Sequence, residues 1–395
     1  MMFDFRLFWR MSVRSFWHSA GTYGPLKPDR FLFLLFFYPI WGCLLLLGWI
    51  GFLADEVLFA AYRKQPIEKP LFIVSNFRSG STFVQRTLAR DSATFSSVTT
   101  GGIYLTPSIT QHRVGQLLAQ LDRFLGRPFE KWIRQLDRLS LGQLRIHHFG
   151  LFDPEEDEHF LFYAWSTLLA VFAFPYLEEL PPYAFFDQAI PKGRRDRIMR
   201  FYLSCVRRHL YANGGRHYLA KNPLFSAKIE SLLETFPDAR ILYLVRSPLE
   251  TLPSTISMFA YLWGLFSKKP EKYPHCEAIL GWAKYWYDHP LEVIDRDTSG
   301  RCLIMRYEDL IRSPDEAFRA IYSAFGYPET ENLTGILRDA VSSARNHTSD
   351  HEYSLEAMGL DRERILKEFA HIFARFQLSD ESERRPAPVR EDHKT

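Results

Sequence analysis

Residues 31–54, FLFLLFFYPIWGCLLLLGWIGFLA, contain no charged side chain. Such a run exceeds the roughly 18 apolar residues that raise the expectation of a bilayer-crossing helix. The chain must therefore offer it either lipid or a large protein surface. Thirty residues precede the run and no small-residue cleavage site follows it, so a secretory signal peptide fits poorly. Arg6, Arg10, Arg14, Lys27 and Arg30 outnumber Asp4 and Asp29 in the leading segment, whereas residues 55–69 carry both signs equally. The basic side is expected to stay cytoplasmic, so a complete span would put the bulk of the chain in a lumen or outside. Pro39 and Gly42 sit mid-run, where a break would turn the segment back as a re-entrant hairpin with both ends in the cytoplasm. A hydrophobic hairpin buried against the globular part is the third arrangement. Membrane contact is the expectation; the topology stays open among the three.

Composition narrows the rest. A length of 395 residues suggests two to three domains, or one large domain with an insertion. Hydrophobic residues at 47% and charged ones at 24% exclude a wholly disordered or collagen-like chain. The formal net charge of +3 is too small for nucleic-acid binding by bulk charge, so anions must be held by individually placed residues. Cys43, Cys205, Cys276 and Cys302 show no CxxC spacing and predict neither a zinc site nor a dense disulfide framework. Aromatic residues reach 16%, with 34 Phe, which suits a large apolar pocket, a lipid-facing surface or simply a Phe-rich core.

Along the chain, residues 70–75 (PLFIVS) read as a buried strand. It ends in Asn76-Phe77-Arg78-Ser79-Gly80-Ser81-Thr82 and leads into a helix with Phe83, Val84, Thr87 and Leu88 on one face. Residues 110–145 are basic and helical in period, with breaks at Gly126-Arg127-Pro128 and Gly142. Asp153-Pro154-Glu155-Glu156 predicts a helix start, with Asp153 as N-cap and Pro154 at the first position, running through an aromatic face to about Phe174. Strands are predicted at 217–220, 240–245 and 302–305. Helices follow on the stripe Phe225, Ile229, Leu232, Leu233, Phe236, after Ser247-Pro248-Leu249-Glu250, and from Ser313-Pro314 to a stop at Gly326. A last helix is predicted over 361–376, and the charged tail 379–395 is expected to be disordered. Strands alternating with helices imply a parallel sheet covered on both faces.

Between the first strand and its helix, Arg78-Ser79-Gly80-Ser81-Thr82 has the chemistry of an anion cradle. Small residues let backbone N–H groups approach, the helix N-terminus adds partial positive charge, and Arg78 supplies a bidentate fork. It is not a Walker A loop, because Gly80 is followed by Ser-Thr rather than Lys-[Ser/Thr]. Arg246, with Ser254 eight residues on, and Lys221-Asn222-Pro223 also stand at strand ends, where open α/β sheets bind ligands.

These motifs, FIVSNFRSGSTF (72–83) and YLAKNPLFSAKIESLLETFPDARILYLVRSPLETLPSTISMF (218–259), resemble the sulfotransferase superfamily, specifically its bacterial-type branch. RYEDLIRSPDEAFRAIYSAFGYP (306–328) resembles the strand–helix unit that follows, and HEYSLEAMGLD (351–361), which carries Tyr353, is similar to the cofactor-side loop. The resemblance covers about 70–376. It implies a P-loop-like parallel sheet flanked by helices and a sulfotransferase domain at 70–378 with a helical, aromatic-rich acceptor-side insertion at about 103–215; the apolar run and the charged end add a membrane-associated segment at 1–69 and a disordered tail at 379–395.

The resemblance further implies sulfuryl transfer from 3′-phosphoadenosine 5′-phosphosulfate to a hydroxyl acceptor, without a metal. Arg78 to Thr82 match the loop for the 5′-phosphosulfate, Arg246 and Ser254 the 3′-phosphate motif, and Lys221 the family's Lys-x-Pro element. The acceptor expected from the apolar N-terminal run and the aromatic insertion is an apolar, lipid-like alcohol, and no nucleic-acid partner is expected. The usual base positions are changed: Pro223 stands where many relatives carry His, and Thr99-Thr100-Gly101-Gly102 where others carry Glu. Candidate bases are therefore Glu156, in a run of acids whose repulsion would raise a pKa, and His147 or His148. A metal site built from His148, His159 and the acids is a remote alternative. Two other functions stay in view: a catalytically silent nucleotide-binding relative, and a P-loop kinase or nucleotide hydrolase. The sequons at Asn332 and Asn346 would suit a lumenal enzyme, but the few cysteines and the bacterial-type resemblance favour the cytoplasmic face of a membrane.

Overall fold

The computed structural model describes residues 3–132, 135, 150–214, 216–266, 273, 275–346, 355 and 358–378. Five strands, β1 (Leu71–Ser75), β2 (Phe95–Ser96), β3 (His217–Lys221), β4 (Arg240–Val245) and β5 (Cys302–Arg306), form one parallel sheet in the order β2-β3-β1-β4-β5. Every side chain of the central β1 is buried, as expected for a run rich in β-branched and apolar residues in a sheet covered on both faces. Its pleat sends Phe72 and Val74 into one hydrophobic cluster and Leu71 and Ile73 into the other. The two-residue strand β2 is too short to carry a sequence signal.

Helix α1 (Phe5–Trp17) begins on Asp4, whose carboxylate accepts from the Leu7 N–H. Helix α2 (Pro28–Leu58) contains the whole uncharged run as one continuous helix, with Pro39 inside it. Neither the re-entrant turn nor the hairpin forms. A break at Pro39–Gly42 would expose peptide groups in apolar surroundings, while the rings beside it already have partners: Phe37 meets Phe174 and Trp41 meets Trp165. Gly48 and Gly51 allow close approach, since a Cβ on either would lie 2.3 Å from Tyr163 or from Ser108. Helices α3 (Ser81–Ala89), α4 (Thr100–Tyr104) and α5 (Ile109–Phe124) follow.

The expected helix start at Asp153 is corrected. Pro154 pairs with Thr99 in an isolated antiparallel bridge, and the Glu155 N–H donates to Val98 O at 3.0 Å. A 3₁₀ helix runs only over Asp157–Ala164, ending at Trp165 with φ +48°, and a four-residue helix follows at Ala170–Ala173. The acids are drawn inward by buried cationic and phenolic partners, described below, and these outweigh helix capping. The Phe225 stripe opens as a 3₁₀ turn, Pro223–Lys228, before the Ile229–Thr235 helix. The last predicted helix is two, Arg362–Glu368 and Ala370–Phe376, split at Phe369. The helix opened by Ser313 spans Pro314–Phe325 and stops at Gly326, φ +64°, as the sequence implies. His147, His148, Tyr353 and the tail 379–395 lie outside the described residues.

Candidate active site

The loop after β1 turns sharply to deliver its residues to the C-terminal edge of the sheet. Arg78 takes φ +65°, a left-handed conformation uncommon for a side-chain-bearing residue, and Gly80 takes φ +81° as N-cap of α3. A Cβ on Gly80 would lie 2.7 Å from Tyr307 Cδ2. Glycine is thus needed twice, for backbone angle and for space. The first N–H groups of α3 have no intrahelical acceptor, and the buried Ser79 Oγ lacks a hydrogen-bond partner among the described residues. These are features of a cradle that an anion would complete.

The second strand end is tied to the first. Arg78 Nε donates to Ser254 Oγ at 2.9 Å, and Arg246 Nη1 donates to the Arg78 carbonyl at 2.8 Å. The Arg246 guanidinium lies 4.1 Å from the Tyr307 ring centroid and pairs with Glu250 at 2.5 Å. The Tyr287 hydroxyl donates to the Arg246 carbonyl at 2.6 Å. Arg78, Arg246 and Ser254 therefore share one corner. Tyr307, which floors that corner beneath Gly80 and Arg246, was not singled out from the sequence; its place directly after β5 was the available signal.

Lys221 ends β3, the neighbour of β1 on the other side, with Ile73 and Lys221 in register. Its side chain is 2% exposed and its Nζ pairs with Glu156 Oε1 at 2.5 Å. The acidic run is not a patch of mutual repulsion, because each member has its own partner. Glu155 accepts from the Glu156 N–H at 2.8 Å and from Thr100 Oγ1 at 3.4 Å. Asp157 accepts from the phenols of Tyr202 and Tyr218, the latter at 2.7 Å. Glu158 pairs with Lys228 and accepts from Thr167 Oγ1 at 2.8 Å and Asn222 Nδ2 at 3.4 Å. Burial, not crowding of like charges, is the main cause of the shifted proton affinities: it pushes Asp157 up to about 7, raises Glu158 and lowers Lys228. His159 Nδ1 meets the Tyr104 hydroxyl. Among the described residues no group of three or more His, Cys, Asp or Glu has the arrangement of a metal site.

Chemically, the corner offers two guanidinium groups, a hydroxyl and helix N–H donors for phosphate-like groups, while the adjoining strand end sets an ammonium against a carboxylate. The same arrangement fits a nucleotide bearing anionic groups at both ends of its sugar.

Comparison with known proteins agrees. The sequence pattern of the sulfotransferase family matches residues 70–331. The chain is 26% identical over 304 residues, 73% of its length, to a Mycobacterium tuberculosis protein named omega-hydroxy-beta-dihydromenaquinone-9 sulfotransferase Stf3, of which 71% is covered. In fold it is similar to the crystal structures of sulfotransferase STF1 from Mycobacterium tuberculosis H37Rv (TM-score 0.69, 19% identity, covering 93% of this chain and 92% of that one) and STF9 from Mycobacterium avium (TM-score 0.67, 20% identity, covering 83% and 82%). A parallel five-stranded sheet with its anion cradle after β1, and a family match across that whole sheet, place this chain in the sulfotransferase family, as an enzyme that moves a sulfuryl group to an acceptor.

Proposed function

We propose that the corner built by Arg78, Arg246 and Ser254 takes the two ends of the donor nucleotide, and that the acceptor is a lipid-like alcohol. The 5′-phosphosulfate lies on the Arg78–Thr82 loop, with Ser79, Gly80, Ser81 and Thr82 supplying N–H and hydroxyl donors. Arg246 and Ser254 hold the 3′-phosphate, and Tyr353 is a further cofactor-binding residue. The acceptor oxygen attacks sulfur in line with the departing phosphate oxygen. The bond from sulfur to that oxygen breaks, its electron pair stays on the nucleotide, and Arg78, Lys221 and the α3 N-terminus stabilise the charge that develops there. Glu156 takes the acceptor proton when Lys221 turns from it to the donor; His147 is the competing base. No metal is required.

One observation carries this reading: the hydrogen bonds from Arg78 to Ser254 and from Arg246 to the Arg78 carbonyl. They join the two motifs that would grip opposite ends of one nucleotide. The lipid-like acceptor is supported by the menaquinone derivative in the name of the mycobacterial relative and by the apolar α2. We propose that the enzyme is held on the cytoplasmic face of a membrane, which the basic segment ahead of α2 and the unpaired Cys43, Cys205, Cys276 and Cys302 support.

The test is thermal stabilisation of the purified full chain by adenosine 3′,5′-bisphosphate against AMP. The bisphosphate is expected to give the larger shift. Arg246→Ala or Ser254→Ala should remove that difference, each costing about 10- to 100-fold in affinity as expected for a charge-assisted hydrogen bond. Equal shifts by both nucleotides would refute the assignment. Glu156→Gln should lower turnover by about 10²–10⁴ and spare the bisphosphate shift; loss of turnover in His147→Ala with Glu156→Gln active would move the base to the imidazole.

A further inference from the structure

Helix α2 is fastened to the domain near both its ends. Arg30 is buried and its Nη2 donates to Ala173 O at 2.6 Å. At the other end, the buried Asp55 accepts from the N–H groups of Ile109 and Thr110 at 2.9 and 2.8 Å and pairs with Arg208 at 3.0 Å. Between them Trp49 Nε1 donates to Tyr163 O at 3.1 Å. From Arg30 to Asp55, about 37 Å of helix at ~1.5 Å per residue, α2 therefore runs along the body.

The outer face of α2 is apolar and bare: Leu32, Leu35, Phe36, Leu46, Ile50 and Leu53 are all exposed. Helix α5, joined to α2 through Asp55 and through Gln111 Nε2 donating to Leu47 O, exposes Leu117, Leu118, Leu121 and Phe124. Helix α1, packed on α2 by Phe8 against Trp41, exposes Trp9 and Trp17. Single exposed apolar residues need no explanation, but three adjoining helices that all present them do. The sequence on and just after α5 is cationic in sum: Arg127 pairs with Glu130 at 3.6 Å, Asp122 is buried, accepting from the N–H groups of Phe129 and Glu130, and Arg113, Arg123 and Lys131 remain. Where α2 meets the Lys192–Asn213 helix, a cleft of about 380 Å³ places Arg197 and Arg200 beside Trp49 and Leu53. Apolar faces edged by cations and tryptophan match the interface of a bilayer bearing anionic headgroups.

We infer that α1, α2 and α5 form one platform that lies in the plane of a single anionic leaflet, so that α2 rests in the membrane without crossing it. This rests on the membrane contact proposed above and decides its geometry. A crossing α2 would carry the part of the body packed along its middle, with the peptide groups of residues 163–174, into hydrocarbon, where polar groups are costly. An in-plane α2 leaves the body in water and the cradle on the same side as both helix ends.

Depth measurement separates the arrangements. A bimane fluorophore is attached in turn at Leu32→Cys, native Cys43 and Leu53→Cys, in full-length chains otherwise lacking cysteine. The chains are bound to vesicles of phosphatidylcholine mixed with phosphatidylglycerol, and brominated lipids report depth. Similar shallow depths at all three positions are expected. A deep Cys43 flanked by two shallow ends would mean a span and overturn the in-plane geometry alone. Absence of partition into vesicles would overturn membrane contact as well, and a dimer in which all three cysteines are protected would assign the platform to a second copy. As a second arm, Leu117→Asp with Leu118→Asp should weaken vesicle partition about tenfold or more and leave the bisphosphate thermal shift intact. Unchanged partition would remove α5 from the platform.

Discussion

Glu156 and Asp157 are neighbours in the chain, yet their carboxylates enter different chemistry. Glu156 faces the Lys221 ammonium at the sheet edge, whereas Asp157 is fully buried beneath two phenols, with its Oδ1 left without a partner. Burial raises Asp157 from 3.8 to about 7. A raised folded pKa means that the folded state holds the proton more tightly than the unfolded chain. The stability this group contributes is complete below about 4 and is lost as pH rises through 7. Asp157→Asn should therefore gain on the native chain between pH 5 and pH 8, by on the order of a few kcal/mol; melting temperatures of both proteins at the two pH values check this. Gly80 is constrained at the same scale. Gly80→Ala must hold φ +81° and push Tyr307 aside, so a loss of about 1–2 kcal/mol is expected, together with weaker binding of adenosine 3′,5′-bisphosphate in a titration.

At the scale of elements, β1 decides where the cradle stands. Phe72 is fully buried and meets the rings of Tyr202, Tyr218, Phe225 and Phe236, tying the strand to its neighbour β3 and to the helical segments over one face. Phe72→Ala leaves a cavity that such a packed interior fills only in part, and a loss of about 3–5 kcal/mol is expected in denaturant unfolding. The Asp157–Ala164 segment is fixed in a different way. Its Glu158 forms a wholly buried pair with Lys228, over the ring of Phe186. Removing one partner leaves a buried charge, so Lys228→Met should cost about 3–5 kcal/mol, while Lys228→Met combined with Glu158→Gln should recover much of it. Recovery measured in a double-mutant cycle would attribute the cost to the unpaired carboxylate rather than to lost packing.

At the scale of the molecule, the N-terminal helices and the catalytic sheet form one packed body. The α2–α5–Lys192–Asn213 junction hangs on Asp55, which satisfies two N–H groups at the start of α5, the Thr110 hydroxyl and Arg208 together. Asp55→Ala should cost about 2–4 kcal/mol, because it leaves the Ile109 and Thr110 N–H groups without their acceptor and Arg208 with Glu56 as its remaining carboxylate. Limited proteolysis should then cut between α2 and β1, in residues 59–70, far faster than in the native chain, whereas a detached, independently folded anchor would show no change in rate.

The sequence alone determined the pieces whose signals are local. Alternation and apolar runs mark β1, β3, β4 and β5, and Ser313 and Gly326 bound a helix because capping is read within a few residues. Arg78, Lys221 and Arg246 were legible as strand-end cations for the same reason, and the absence of charge over 31–54 predicted a long apolar segment. Tertiary structure decided what depends on residues distant in the chain. Asp153-Pro154 has every mark of a helix start, but Lys221, Lys228, Tyr202 and Tyr218, some 45 to 70 residues away, draw the following acids into the interior instead. Tyr307 gained its role only by meeting Gly80 across the sheet, and α2 gained its course because the body offers it partners from end to end. Local preference is worth about 1 kcal/mol at a cap, whereas an unpaired buried charge costs several times that, so the long-range partners prevailed wherever the two conflicted.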